Sequence, residues 1–322
     1  MKKLIALLLL LSTLAFCFTA CGEQNTTKLR VGYLTGPTGI GMAKLIQDNG
    51  GVDGASEKYS FKNYADNAVL AQSDLTAGNI DLICVPTNNI AQYYNTDNDI
   101  TVLSLNALGS LYLVAKDGIE INSIDDLEGK TVYTCQQGTP KIILDTLIAK
   151  AGVNATISYT TPDGTVMDKP NKIAPQVIAG KIDIAVFPEP QVANALSKNA
   201  NYKLALDLGD VWEEEFESGL TMGCIVAKKS FVEANESAVK KFLNEYEASI
   251  EFMAKSENLD TAADYVISAG IIPLDKAVVK NAISNLGEAV AYVDGEDMKV
   301  MLKKFYEAVK ISAPDDEFYY EK

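Results

Sequence analysis

Short apolar runs alternate along this chain with Gly- and Pro-marked breaks and with longer stretches of helical spacing. Leu29-Arg30-Val31-Gly32-Tyr33 reads as a strand. It enters a Gly/Thr/Pro loop, Thr35 to Gly41, before an apolar helical stretch from Met42. Further on, the run Ile80 to Val85 is a buried strand that ends in the loop Pro86-Thr87-Asn88. Thr131 to Thr134 repeats the first pattern, entering Gln136-Gln137-Gly138-Thr139-Pro140 and then a helix over Ile142 to Lys150. From Ser230 the pattern turns helical, with amphipathic stretches at 237–253, 260–270, 275–286 and 296–309.

The chain also repeats itself. Residues 75–92 (LTAGNIDLICVPTNNIAQ) align with 177–194 (VIAGKIDIAVFPEPQVAN) at a constant offset of 102, pairing Ala77-Gly78 with Ala179-Gly180, Ile80-Asp81 with Ile182-Asp183, and Pro86 with Pro188. Each copy reads as a helix end, a Gly stop, a short strand and a Pro-marked loop. A period this long does not fit a solenoid. It predicts two α/β units side by side, each alternating strands with helices. Leu111 to Lys116 and Cys224 to Lys228 resemble each other and flank the second unit, which marks them as the two crossings between lobes. Lobe one is then 29–112 with 224–322, lobe two is 117–218, and the hinges fall at about 112–117 and 218–226.

Lys2-Lys3, the uncharged apolar run Leu4 to Phe18 and the small residues Thr19-Ala20 form a secretory signal over 1–20, too short to span a membrane comfortably. Phe18-Thr19-Ala20-Cys21 is similar to a bacterial lipobox, in which Cys21 is lipidated, and 21–28 is a polar tether. The chain is expected on the extracytoplasmic face of the cell membrane, held by its acyl chains.

With 28 Lys+Arg against 43 Asp+Glu the net charge is −15. There is no histidine, and Arg30 is the only arginine. These counts exclude His-based metal sites and His-dependent nucleophiles, and they disfavour nucleic acid as a partner. Cys84 and Cys224 lie in apolar runs as small hydrophobes, whereas Cys135 sits in a loop where it is expected to be accessible.

In open α/β sheets, ligands bind beyond the carboxyl ends of the strands. Both polar loops take that position, offering glycines for close backbone approach, helix N–H groups, hydroxyls and amides. The candidate ligand residues are Tyr33, Thr35, Gly36, Pro37, Thr38, Gly39, Tyr64, Thr87, Asn88, Asn106, Gln136, Gln137, Gly138, Thr139, Phe187 and Glu189. Tyr33, Tyr64, Tyr112 and Phe187 are candidate aromatic walls, with burial in the core as the other reading, and Glu189, on a stiff loop between prolines, is either an acceptor for a ligand N–H or cation or a solvated charge at the rim. Ser110, beside Asn106 in the sequence, is placed near the cleft. Neither loop carries an arginine or, apart from Lys141 at the start of a helix, a lysine.

These residues, with Ser123 to Val132 and the two Ala-Gly-x-Ile-Asp turns, resemble the solute-binding lipoproteins of ABC transporters, of the nitrate/sulfonate/taurine and thiamine-precursor type. The resemblance spans nearly the whole chain. It implies a type II periplasmic-binding-protein fold, two α/β lobes closing on one small solute, with no cofactor, no metal and no catalysis. It implies a monomer that passes its solute to a membrane permease. The solute is an amine-bearing heteroaromatic, such as a thiamine pyrimidine precursor, or a small sulfonate or other oxyanion. A sensory lipoprotein, or an enzyme of the same fold, is the alternative, and some such enzymes rely on the histidine this chain lacks.

Overall fold

The computed structural model describes residues 27–96 and 99–321. The signal, Cys21 and most of the tether lie outside the described residues. Among the described residues no helix is long and apolar enough to cross a membrane.

Ten strands form two sheets: β1 Leu29–Tyr33, β2 Tyr59–Asn63, β3 Leu82–Pro86, β4 Ile100–Leu108, β5 Leu111–Lys116, β6 Thr131–Tyr133, β7 Thr156–Ser158, β8 Ile184–Pro188, β9 Tyr202–Asp207 and β10 Thr221–Lys228. The first sheet has the order β2-β1-β3-β10-β4 and the second β7-β6-β8-β5-β9. In the first sheet β1 pairs in parallel with β2 and β3, and β10 runs antiparallel between β3 and β4. The second sheet repeats this: β6 is parallel to β7 and β8, and β5 is antiparallel between β8 and β9. The two-lobed α/β architecture expected from the internal repeat is therefore present, down to strand order.

The segments expected to be crossings are each a strand of a single sheet, the first crossing falls just before the expected hinge at 112–117, and the second falls at the start of the expected hinge at 218–226. Leu111–Lys116 lies wholly in the second sheet and Thr221–Lys228 wholly in the first. The chain passes between sheets at Gly109-Ser110, both with positive φ, and again between Phe216 and Thr221. The two crossings run side by side, with the Gly109 N–H donating to the Leu220 carbonyl at 2.8 Å. The likeness of the two segments has another cause: each is the antiparallel fourth strand of its own sheet.

Strand alternation places the core. In the first sheet Leu82 and Cys84 face the helices Ala43–Asp48, Glu236–Ala254 and Leu259–Ser268, whereas Ile83 and Val85 face the other way. Cys84 and Cys224 thus sit on opposite faces of the sheet, which separates the two thiols. The second face shares its apolar cluster with Leu113, Val186 and Leu206 of the second sheet, so one core runs behind both lobes. Trp212, on the helix Leu208–Phe216, packs there on Phe305 of the helix Gly295–Ala308, ring centroids 5.8 Å apart. The outer face of the second sheet carries its own cluster, with Tyr112, Cys135 and Phe187.

The four C-terminal helical stretches appear as Glu236–Ala254, Leu259–Ser268, Lys276–Leu286 and Gly295–Ala308. The Gly/Thr/Pro loop is more ordered than its composition suggests: Pro37–Ile40 is a short helix, because Pro37 supplies a helical φ at its first position.

Candidate ligand-binding cleft

The loops after β1 and β6 are built alike. Gly36 caps the helix Pro37–Ile40 with φ 91° and ψ −161°, and Gly138 caps the helix Thr139–Ala151 with φ 99° and ψ −176°. This backbone region is open almost only to glycine. A Cβ at Gly36 would meet nothing within 4 Å, so conformation, not space, requires glycine there. At the Thr139–Ala151 helix the first N–H groups have no partner within the helix, and the dipole adds positive potential. Gln136, Gln137 and Gly138 are exposed, Thr35 and Pro37 half-buried, and Thr38 and Gly39 buried.

The two lobes meet beside the second of these loops. The Thr139 hydroxyl donates to Asn88 Oδ1 at 2.8 Å, joining its helix start to the helix Thr87–Thr96, which follows β3 directly where the sequence suggested a loop at Pro86-Thr87-Asn88. Thr87 donates to the Thr221 carbonyl at 2.7 Å, which uses its hydroxyl within lobe one. Asn106 Nδ2 donates to the Thr38 carbonyl and to the Tyr246 hydroxyl, at 3.1 and 2.9 Å. Asn106 Oδ1, Ser110 Oγ and Thr221 Oγ1 are buried without a partner. Gly223 lies beneath: a Cβ there would stand 2.6 Å from both Asn106 Oδ1 and Thr38 Cγ2.

Glu189 is placed differently from expectation. It is 1% exposed, and the protein takes both its carboxylate oxygens: Asn285 Nδ2 donates to Oε1 at 2.6 Å and the Ala193 N–H to Oε2 at 3.0 Å. Burial raises its pKa above the usual carboxylate range, against the opposing pull of those two donors. Of the two readings of the aromatics, the core one holds. Tyr33 is in the first-sheet core with its hydroxyl on the Ala269 carbonyl, and Tyr64 packs against Gly32 with its hydroxyl on Asp74. Phe187 is in the outer core of the second sheet, and Tyr112 donates to the Asn285 carbonyl. Cys135, expected to be accessible, is buried, and burial pushes its thiol up to about 11.

The nearby cations are paired. Lys141 is bonded to Asp145, one turn along its helix, and lies over the Tyr159 ring. Arg30 is held by Asp81 at 2.5 Å at the far end of β1, and Lys169 stands 3.9 Å from Asp66 across the lobes. Among the described residues no cluster of His, Cys, Asp and Glu is arranged to hold a metal. Two surface depressions, of about 580 and 340 Å³, share no residue with these loops.

Sequence reasoning missed Thr221, Gly223 and Asn285. Gly223 left a trace as a glycine inside an apolar strand, the mark of close backbone approach. Asn285 left none, being one exposed asparagine near a helix end.

Two sheets of identical order, joined by two adjacent crossings and touching at Asn88 and Thr139, define the two-lobed periplasmic-binding-protein class. Solved structures of that fold superpose on the chain. An ABC transporter protein from Parabacteroides distasonis matches with a TM-score of 0.73 at 21% identity, over 92% of this chain and 99% of its own. The periplasmic aliphatic sulphonate-binding protein SsuA from Escherichia coli gives 0.69 at 16%, over 91% and 92%. The periplasmic nitrate-binding protein NrtA from Synechocystis gives 0.58 at 12%, over 85% and 75%. Residues 61–258 match the family described as NMT1/THI5 like, and the chain belongs to that family. No curated protein matches it.

Proposed function

We propose that this protein is the extracytoplasmic solute-binding component of an ABC importer, capturing a small organic solute between its lobes and delivering it to a membrane permease. The observation that carries this reading is the contact between the lobes at Asn88 and Thr139, where the helix Thr87–Thr96 after β3 meets the Gly138-capped helix of the other lobe. Thr35 to Gly39, Asn88 and Gln136 to Thr139 surround the solute. A solute touching both lobes favours the closed state because only that state offers both sets of contacts.

Two solute classes divide the observations. An amine-bearing heteroaromatic, such as a thiamine pyrimidine precursor, loses Tyr33, Tyr64 and Phe187 as stacking partners and Glu189 as a free acceptor. A small sulfonate loses Lys141, which Asp145 neutralises. The chemistry left to either is backbone N–H groups, hydroxyls and side-chain amides, which suits a small solute recognised by hydrogen bonds. Cys21 carries the lipid that holds a monomeric receptor at the membrane.

A thermal-shift screen of the chain from residue 22 onward tests this reading, with aminopyrimidines and alkyl sulfonates as the panel. A solute at one hundred times its dissociation constant adds about 2.7 kcal/mol of stability. No shift across the panel, or chemical turnover of a hit, overturns the reading. A Cys21→Ala chain that still takes up a palmitate analogue overturns the anchor.

A further inference from the structure

The lobes are joined a second time, away from the Gly-capped loops. The helix Lys276–Leu286 belongs to the C-terminal helices packed on lobe one, yet it lies against the helix Gln191–Lys198 of lobe two. Ala193 packs on Val278 and Ala282 in a small apolar cluster of its own. At its edge Asn285 is used twice. Its Nδ2 donates to Glu189 Oε1 at 2.6 Å, and its carbonyl accepts from the Tyr112 hydroxyl at 2.8 Å. Glu189 is in turn fixed by the Ala193 N–H on Oε2, and its own N–H donates to the Ser110 carbonyl at the crossing.

We propose that Asn285, Glu189 and Tyr112 form a clasp that holds the lobes closed by protein–protein contact, independently of solute. This rests on the solute-capture reading only in that closure then sets solute affinity.

Both ends of the clasp are built for the purpose. Glu189 is buried and has, among the described residues, no other side-chain donor, so losing Asn285 leaves a desolvated carboxylate oxygen unpaired, which favours separating the lobes and admitting water. Asn285 is exposed overall and meets lobe two through its side-chain amide and one carbonyl, so replacing it leaves lobe one intact. Apolar contact between Ala193 and Ala282 gives the surfaces fit, and the hydrogen bonds give register.

Interlobe distance tests the proposal without any solute. In the chain from residue 22 onward, whose three native thiols are buried, spin labels on Thr76→Cys and Asn171→Cys, one exposed site in each lobe, report that distance by electron–electron double resonance. Asn285→Ala is expected to shift the closed-to-open ratio toward open by about tenfold, with Tyr112→Phe shifting it less. Unchanged circular dichroism and a cooperative melt establish that each variant folds. A distance distribution in folded Asn285→Ala that matches the parent overturns the clasp and leaves solute capture standing. A shift in a chain for which no solute is found supports the clasp while the capture reading fails.

Discussion

The Thr139 hydroxyl and the Asn88 side-chain carbonyl lie 2.8 Å apart although the two residues belong to different lobes. Both are almost fully buried, so the bond forms where water is scarce and a lost partner is felt. Thr139→Val keeps the shape and removes the donor. Solute affinity by titration calorimetry is expected to fall about fivefold to tenfold, and the melting temperature to fall with it, since Asn88 Oδ1 loses its donor. Unchanged affinity would show that this contact plays no part in capture.

Gly36 and Gly138 hold the same glycine-only conformation. Alanine at either position is expected to cost about 2 kcal/mol in denaturant unfolding, because the new Cβ strains the backbone even where space is open. Alanine at exposed Gln137, just outside that conformation, serves as the control and is expected to be nearly neutral. Equal stability of all three chains would remove the conformational argument.

Gly223 tests packing instead. A Cβ there would press on Asn106 Oδ1 and Thr38 Cγ2, side chains that Asn106 itself ties to the Pro37–Ile40 helix. Gly223→Ala is expected to destabilise the fold by about 1–3 kcal/mol and to weaken solute binding together with stability. Full retention of both would mean that this floor yields easily.

Glu189 gives the chain a pH signature. Its carboxyl holds its proton more tightly when folded than when unfolded, since burial raises its pKa. Stability from this position is therefore full below the ordinary carboxylate range and declines as pH rises through that range to the raised value. Lowering the pH from about 8 to about 5 is expected to raise the melting temperature of the parent relative to Glu189→Gln. A relative shift in the opposite direction would contradict the burial argument.

The thiols should be silent. Cys84 is pushed up to about 12 and Cys135 up to about 11, both by burial, and Cys224 is raised as well. A thiol-reactive disulfide added to the chain from residue 22 onward at about pH 8 is expected to label nothing until denaturant is present. Rapid labelling of the native protein would place Cys135 at the surface after all.

Much of the architecture was legible because strands and helices carry different periods, and because the repeat places matching glycines at matching offsets. The crossings were misplaced for an instructive reason. Leu111–Lys116 and Cys224–Lys228 resemble each other because both are apolar on two faces in the middle of a sheet, and nothing in such a run says which sheet it joins. The aromatic roles stayed open for a similar reason: a tyrosine beside a ligand loop and one beneath it have the same neighbours in sequence, and only the direction of the side chain separates them. Glu189 was singled out correctly as unusual, but its partner lies 96 residues away, beyond the reach of any local pattern.

The position of β10 sets an order of assembly. It lies between β3 and β4 and comes from after the second lobe in the chain. A nascent chain that stops short of Thr221 has all the strands of the second sheet, but its first sheet is split, with β4 stranded from β2-β1-β3. The strands made first are thus the ones that wait: the lobe begun first is the one whose sheet is completed last.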